Sequence, residues 1–275
     1  MKKIYGVIGD PIEHSLSPIM HNAAFRKLGI NGVYHAFRVS SENVASAILG
    51  AKALDFGGLN VTIPLKERAL DVADADPIAK KIGAVNTLDF KDEIIGYNTD
   101  GIGAKRALEK HNIDVADKSV LILGSGGAAR AIAFQFAQDG ATLVIANRTL
   151  FRAVGLAREV RAMGEGDAIG IGLEDLPPLI KKADILVNST SVGMLPYTDK
   201  TLVTSDQMHP GLVVFDVVYN PLETRLLREA KKAGAIAIDG VDMLVHQGAE
   251  SFKIWTSQNA PIDVMGDAVR CALRC

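Results

Sequence analysis

Lys66 ends the run Asn60-Val-Thr-Ile-Pro-Leu-Lys, and an extended chain would set Asn60, Thr62 and Lys66 on one side and Val61, Ile63 and Leu65 on the other. An amide, a hydroxyl and an ammonium in one row face either solvent, the ordinary fate of the polar side of a half-buried strand, or a ligand. Three further polar clusters fall in the same stretch of chain. Ser15 and Ser17 flank a leucine just before a helix expected from Pro18, where two hydroxyls and free helix amides suit an anion. One serine would be enough for a helix cap, which leaves the other without a task. Asn86 and Thr87 stand in GAVNTLDF, and Asn98, Thr99 and Asp100 in GYNTDG. Turn chemistry explains any one cluster, since Asn, Asp, Thr and Gly favour turns for local reasons. Four together exceed what turns require.

A second kind of chemistry is written in SVLILGSGGAARAIAFQFAQDGATLVIANRT. A buried-type strand runs into Gly124-Ser125-Gly126-Gly127-Ala128, an alanine-rich helix follows, and a second strand ends at Asn147. The pattern Gly124-x-Gly126-x-x-Ala129 in a βαβ unit matches the dinucleotide fingerprint: the first glycine makes the turn, and the second admits a pyrophosphate to backbone amides at a helix N-terminus. An NAD enzyme would carry an acidic residue at the end of the second strand, and this chain has Asn147-Arg148-Thr149 instead. A guanidinium there suits a ribose 2'-phosphate, with Arg152 one helical turn later as a second cation, so NADP is the expected cofactor.

These groups need a frame. Apolar runs alternate with amphipathic stretches nearly throughout, which predicts an α/β fold with parallel sheets covered by helices. The expected strands are KIYGVIG, VYHAFRV, GGLNVTI, AVNTLDF, SVLILG, ATLVIAN, DILVNST, LVVFDVVY and AIAID. Thr99 or Asp100 offers an N-cap for a helix leading into a new strand. Residues 1–100 are therefore read as one domain and 101–240 as a Rossmann-type NADP domain. Residues 241–275, two helices split at Pro261, are expected to pack back on the first domain.

At 275 residues the chain has room for two ordinary domains, and 48% hydrophobic with 23% charged residues is the composition of a globular protein. A net charge of -2 supplies no general basic field for nucleic acid, and no run is long enough to span a membrane. Gly9, Asp10 and Pro11 interrupt the opening MKKIYGVIGD before a signal-peptide core forms. Cys271 and Cys275 form no disulfide framework, which fits a cytoplasmic protein, and scattered histidines leave no metal site to expect. Oligomeric state is not fixed by the sequence, and a homodimer stays open.

The segments HSLSPIMHN, NVTIPLK, GAVNT, GYNTDG, GSGGAAR, NRT and QGAESFKIW, in this order from residue 14 to 255, resemble the motif set of the shikimate dehydrogenase family. The resemblance implies an NADP-dependent oxidoreductase that reversibly reduces 3-dehydroshikimate to shikimate, a step of chorismate and aromatic amino-acid biosynthesis. It implies an N-terminal α/β substrate domain, a Rossmann NADP domain and returning C-terminal helices. By the resemblance, Ser15 and Ser17 hold the substrate carboxylate, while Asn60, Thr62, Lys66, Asn86 and Asp100 surround the ring hydroxyls, with Tyr219 and Gln247 completing the site. Lys66 and Asp100 are then the catalytic pair, Lys66 giving a proton to the developing alkoxide and Asp100 orienting it. On the cofactor side it implies Gly124, Ser125, Gly126, Gly127 and Ala128 at the pyrophosphate, and Asn147, Arg148, Thr149 and Arg152 at the adenosine phosphate. Val217 and Gly240 would lie near the nicotinamide. The chain departs from the family in having arginine at 152, where lysine is usual, and Asn188-Ser-Thr where Asn-Ala-Thr is commoner. With these roles, the polar side of NVTIPLK is expected to face a polyhydroxylated ligand and the apolar side the core.

Overall fold

The computed structural model describes residues 2–164 and 166–274 and divides into two compact units, 1–103 with 244–275, and 104–243. The first unit is built on β1 (Lys3–Gly9), α1 (Ser17–Leu28), β2 (Gly32–Arg38), α2 (Val44–Ala53), β3 (Gly58–Val61), α3 (Lys66–Leu70), β4 (Asp74–Ala75), α4 (Pro77–Ile82), β5 (Thr87–Asp89) and β6 (Ile95–Tyr97). Helix ends here follow local chemistry. Pro18 lies in the first turn of α1, and Gly29, at φ 64°, closes it in the left-handed conformation. Pro77 opens α4, where the Asp76 carboxylate accepts the Ala79 N–H at 2.7 Å.

The strands order β2-β1-β3-β5-β6-β4, and the sheet is mixed. β1 runs parallel to β2 and β3, whereas β5 is antiparallel to both β3 and β6. This corrects the expectation of purely parallel sheets. Only residues 90–94 join β5 to β6, and a parallel crossover needs a dozen or more residues. One core cluster packs Ile8, Leu59, Val61, Leu65, Val85 and Leu88. A separate aromatic cluster joins Tyr5, Phe25 and Tyr34 to Phe252 and Trp255.

Within NVTIPLK the strand stops at Val61, so the expected two-faced alternation does not persist. Val61 and Leu65 are buried as foreseen, but Ile63 is 68% exposed and Asn60 is only 6% exposed. A turn closed by the Leu65 N–H donating to Thr62 O at 2.9 Å replaces extended chain, which turns Ile63 outward.

The chain leaves the first unit along α5 (Asp100–Lys110). The second unit holds β7 (Ser119–Leu123), α6 (Gly127–Gln138), β8 (Thr142–Ala146), α7 (Leu150–Ala162), β9 (Ala168–Ile171), α8 (Leu176–Ile180), β10 (Ile185–Asn188), β11 (Val213–Asp216), α9 (Arg225–Lys232) and β12 (Ile236–Ile238). Its sheet is parallel throughout, in the order β12-β11-β10-β7-β8-β9. That is the doubly wound order, whose direction reverses between β7 and β10. The chain returns along α10 (Val241–Thr256) and ends in α11 (Ile262–Ala272), which packs along α1.

Candidate active site

The first unit gathers its polar clusters around one ion pair. Lys66 opens α3 directly after the turn that ends NVTIPLK, and its carbonyl accepts the Val85 N–H at 2.9 Å. Asp100 opens α5, its own N–H donating to Asn98 Oδ1 at 3.1 Å. Lys66 Nζ donates to Asp100 Oδ2, with the two side chains 16% and 7% exposed. The other Asp100 oxygen accepts from Asn86 Nδ2 at 2.8 Å. Asn86 is turned this way because its Oδ1 accepts the Thr99 backbone N–H at 2.9 Å, a group that can only donate. An ammonium half out of solvent, paired with a carboxylate that a neutral amide braces, can present a proton to an oxygen of a bound molecule.

Gln247, on α10, reaches the same amide: its Oε1 is 3.5 Å from Asn86 Nδ2, while its Nε2 donates to Leu244 O at 2.7 Å. Asn60 is spent more fully on the protein. Its Oδ1 accepts from the Tyr34 hydroxyl at 2.7 Å, and its Nδ2 lies 2.9 to 3.1 Å from Ser251 Oγ, Asn86 O and Thr87 Oγ1. Thr62 is half-buried in the turn, its N–H donating to Ile8 O at 2.9 Å. The two serines sit at the start of α1, whose N-cap is Leu16 with no side-chain cap bond. Ser15 Oγ accepts the Ser17 N–H at 3.4 Å, a long bond that leaves the Ser15 hydrogen free to donate, and Ser17 hydrogen-bonds the Tyr34 phenol. Burial pushes the Tyr34 phenol well above its ordinary value, with Ser17 pulling the other way.

Of the side chains in this cluster, sequence reasoning named Thr87 and Thr99 without giving them a role, and it missed Tyr34 and Ser251. Thr87 and Thr99 adjoin Asn86 and Asp100 in segments already singled out. Ser251 stands one helical turn after Gln247, a spacing that could have flagged it. Nothing in β2 marks Tyr34.

Tyr219, Val217 and Gly240 belong to the second unit. Gly124 follows β7 at φ 110°, where a side chain would be strained and a Cβ would come 3.0 Å from Ser189 Oγ. Gly126 is the N-cap of α6, it makes no side-chain cap bond, and a Cβ there would meet nothing within 4 Å. Free helix amides therefore open onto space beside Gly127 and Ala128, which fits a diphosphate. At the end of β8, Asn147 Nδ2 donates to Thr149 O at 3.1 Å, and Arg148 and Arg152 are exposed with no carboxylate at that strand end. The donor set thus fits a phosphate rather than a bare ribose diol.

At the end of β11, Asp216 is fully buried and accepts from Thr224 Oγ1 at 2.6 Å, Asn188 Nδ2 at 2.9 Å and the Val218 N–H at 3.1 Å. Burial outweighs these bonds and raises its carboxyl to about 6. This knot fixes the segment bearing Val217 and Tyr219, whose phenol burial likewise pushes up. Gly240 packs against Val217 O so closely that no Cβ would fit.

A doubly wound unit with an open glycine turn, in one chain with a unit built round a part-buried lysine–aspartate pair, defines a two-unit α/β oxidoreductase of the nucleotide-dependent class. Family models agree segment by segment: the shikimate dehydrogenase substrate binding domain matches residues 7–88, shikimate / quinate 5-dehydrogenase residues 105–241, and the shikimate 5'-dehydrogenase C-terminal domain residues 240–270. A shikimate dehydrogenase (NADP+) of Methanococcoides burtonii is 59% identical over 269 residues, 98% of each chain. Among solved structures, a shikimate dehydrogenase in complex with NADP+ is 46% identical, with a TM-score of 0.93 over 99% of this chain and 96% of that one. The Thermus thermophilus shikimate 5-dehydrogenase in complex with NADP(H) and shikimate is 37% identical, with a TM-score of 0.90 over 98% of this chain and 100% of that one. The chain belongs to the shikimate dehydrogenase family.

Proposed function

We propose that the protein catalyses the reversible NADPH-dependent reduction of 3-dehydroshikimate to shikimate, with Lys66 and Asp100 as the pair that handles the proton. The observation that carries the reading is the Lys66–Asp100 ion pair, braced by Asn86 in a chain of this family. When bound, NADPH supplies the hydride to the carbonyl carbon. This chain's part is to give the oxygen a proton: the Lys66 ammonium hydrogen-bonds the carbonyl and protonates the forming alkoxide, while Asp100 orients the ammonium. Ser15 and Ser17 are read as the carboxylate ligands, supported by hydroxyls not spent on a helix cap. Thr62, Asn86, Gln247 and Tyr219 are read as ligands of the ring hydroxyls, and Asn60, already engaged by four partners, as a brace behind them.

The first unit is thus read as the substrate domain and the second as the NADP domain. Gly124, Ser125, Gly126, Gly127 and Ala128 would hold the pyrophosphate, and Asn147, Arg148, Thr149 and Arg152 the adenosine phosphate. Val217 and Gly240 would meet the nicotinamide. We also read the protein as cytoplasmic, on its lack of a cysteine framework; among the described residues no helix is long and apolar enough to cross a membrane. The test is NADPH formation, followed by absorbance, on mixing the protein with NADP and shikimate. No formation with shikimate, against turnover with another hydroxy acid, would overturn the substrate assignment.

A further inference from the structure

Behind the ion pair, Asn86 is the front member of a chain of buried polar side chains, and Thr87 and Ser251 have no role in the reaction as read above. Thr87 and Ser251 are fully buried, Asn86 is 2% exposed and Thr99 3%. Thr87 Oγ1 stands 2.7 Å from Ser251 Oγ, 2.9 Å from Asn86 Oδ1 and 3.1 Å from Asn60 Nδ2. Ser251 Oγ stands 2.9 Å from Asn60 Nδ2 and 3.1 Å from Gln247 O. Hydroxyls have one hydrogen each, so the partners decide where it goes. Asn60 Nδ2 can only donate and Asn86 Oδ1 can only accept. With the Thr87 hydrogen given to Asn86 Oδ1, the 2.7 Å contact needs the Ser251 hydrogen, so Tyr34 donates to Asn60, Asn60 to Ser251, Ser251 to Thr87, Thr87 to Asn86, and Asn86 to Asp100.

All bonds in this series point the same way, toward the carboxylate that holds Lys66. Its end is the Asn86 amide, whose Oδ1 takes the Thr99 N–H and the Thr87 hydroxyl at 2.9 Å each, with the Thr99 hydroxyl farther off at 3.2 Å. Two donors on one carbonyl oxygen fix both the flip and the tilt of the amide, and so aim its NH2 at Asp100. A buried network of this kind rigidifies when every member is satisfied, and it loosens when one is removed.

We propose that Thr87 and Ser251 are positioning residues for the Lys66–Asp100 pair, acting through Asn86; the inference rests on the reading of that pair as the reacting groups. Neither touches substrate or cofactor. Removing the Thr87 hydroxyl takes away one of the two closest donors and leaves only groups of Thr99 on Asn86 Oδ1, which lets the amide tilt and lowers the fraction of molecules in which Lys66 is aimed at the reacting oxygen. The aim of Lys66 matters most in the transition state, so the loss falls mainly on kcat, with a smaller rise in KM because Asn86 is also read as a ring-hydroxyl ligand.

The experiment compares Thr87→Val with Thr87→Ser in shikimate oxidation, alongside exchange of the Asn86 side-chain amide protons by NMR in the unliganded protein. Thr87→Val should lower kcat about 10-fold, the worth of one ordinary hydrogen bond, with a smaller change in shikimate KM and NADP affinity kept. Thr87→Ser should restore kcat, since it keeps the hydroxyl and loses only a methyl. Ser251→Ala should fall between them, and it stands in should Thr87→Val not fold. Wild-type kcat in both Thr87→Val and Ser251→Ala overturns the proposal, as does an equal loss in Thr87→Ser, which would mark a packing defect. The NMR arm keeps the two readings apart. Should the wild-type protein not oxidise shikimate, the proposed function fails, yet slow Asn86 exchange in wild type and Thr87→Ser with fast exchange in Thr87→Val still supports the positioning. Equal exchange in all three refutes it.

Discussion

Lys66 and Asp100 lie on helices that begin at those very residues, so each side chain leaves the backbone at a point fixed by a turn. Lys66→Ala should lower kcat by about 10²- to 10⁴-fold, the range for losing a positioned acid or base. Asp100→Asn should lower it as well, and the double variant should fall little further, because the two act as one unit. Steady-state turnover at saturating shikimate decides; near-wild-type kcat in Lys66→Ala removes it from the reaction. The serines belong to binding. The substrate carboxylate keeps its charge unchanged through the reaction, so Ser15→Ala or Ser17→Ala should raise shikimate KM about 10- to 100-fold and leave NADP affinity alone. His21 carries a different consequence. It is fully buried, stacked on Tyr34 at 4.4 Å, and among the described residues neither ring nitrogen has a hydrogen-bond partner. Burial lowers its pKa to about 3. The unfolded chain takes a proton there below about pH 6.5 and the native state does not, so stability holds above that pH and drains as the pH falls toward the folded value, by about 1.4 kcal/mol per pH unit. Urea titrations followed by Trp255 fluorescence at pH 7 and pH 5 should show His21→Phe losing much less stability between the two than wild type. Equal losses would mean that His21 takes up its proton in the folded state. The polar clusters were legible because Asn, Thr, Ser and Lys at strand ends are more than turns need. His21 and Tyr34 were not, since the stack that buries them joins a helix to a later strand.

Close approach between helices is written in glycine. A Cβ on Gly103 of α5 would come 2.7 Å from Gln247 Cβ and 2.9 Å from the Gln247 backbone nitrogen on α10. Alanine gains about 1 kcal/mol of helix propensity over glycine, but overpacking against backbone costs about 1 to 3 kcal/mol and should win. Gly103→Ala should therefore lower the urea midpoint read by Trp255, and a midpoint at or above wild type would show that α5 and α10 can separate freely there. Because α10 also carries Ser251, kcat should fall with it. Element by element, the longer apolar runs were readable as strands, and Pro261 correctly separates α10 from α11. β4, β6 and β9 were missed because two to four residues show no period against the chain around them. The fate of Ile63 was missed for a related reason: alternation predicts faces only while the chain stays extended, and β3 ends two residues earlier.

At the scale of the whole molecule, the groups read as binding substrate and the groups read as binding NADP fall almost wholly in different units, Tyr219 excepted. Arg148→Asp should then cost NADP affinity through lost pairing and new repulsion, cost NAD much less, and leave shikimate binding near wild type. The ratio of kcat/KM for the two cofactors is the measurement, and an unchanged ratio would rule out Arg148 as the phosphate ligand. The α/β class was legible from alternation of runs. That the last two helices join the first sheet was an expectation from the lack of a following strand, to which the family resemblance added; an amphipathic stripe alone does not say which sheet it covers. The divided first unit also has a consequence for synthesis. Ser251 follows its partner Thr87 by 164 residues, with the whole second unit between them. At about 5 to 20 residues per second, a ribosome would deliver that serine roughly 10 to 30 s after the threonine. The nascent chain can thus complete its second unit while the first still waits for α10. The ion pair at Lys66 and Asp100 gains its full backing only when the C-terminal helices emerge from the exit tunnel.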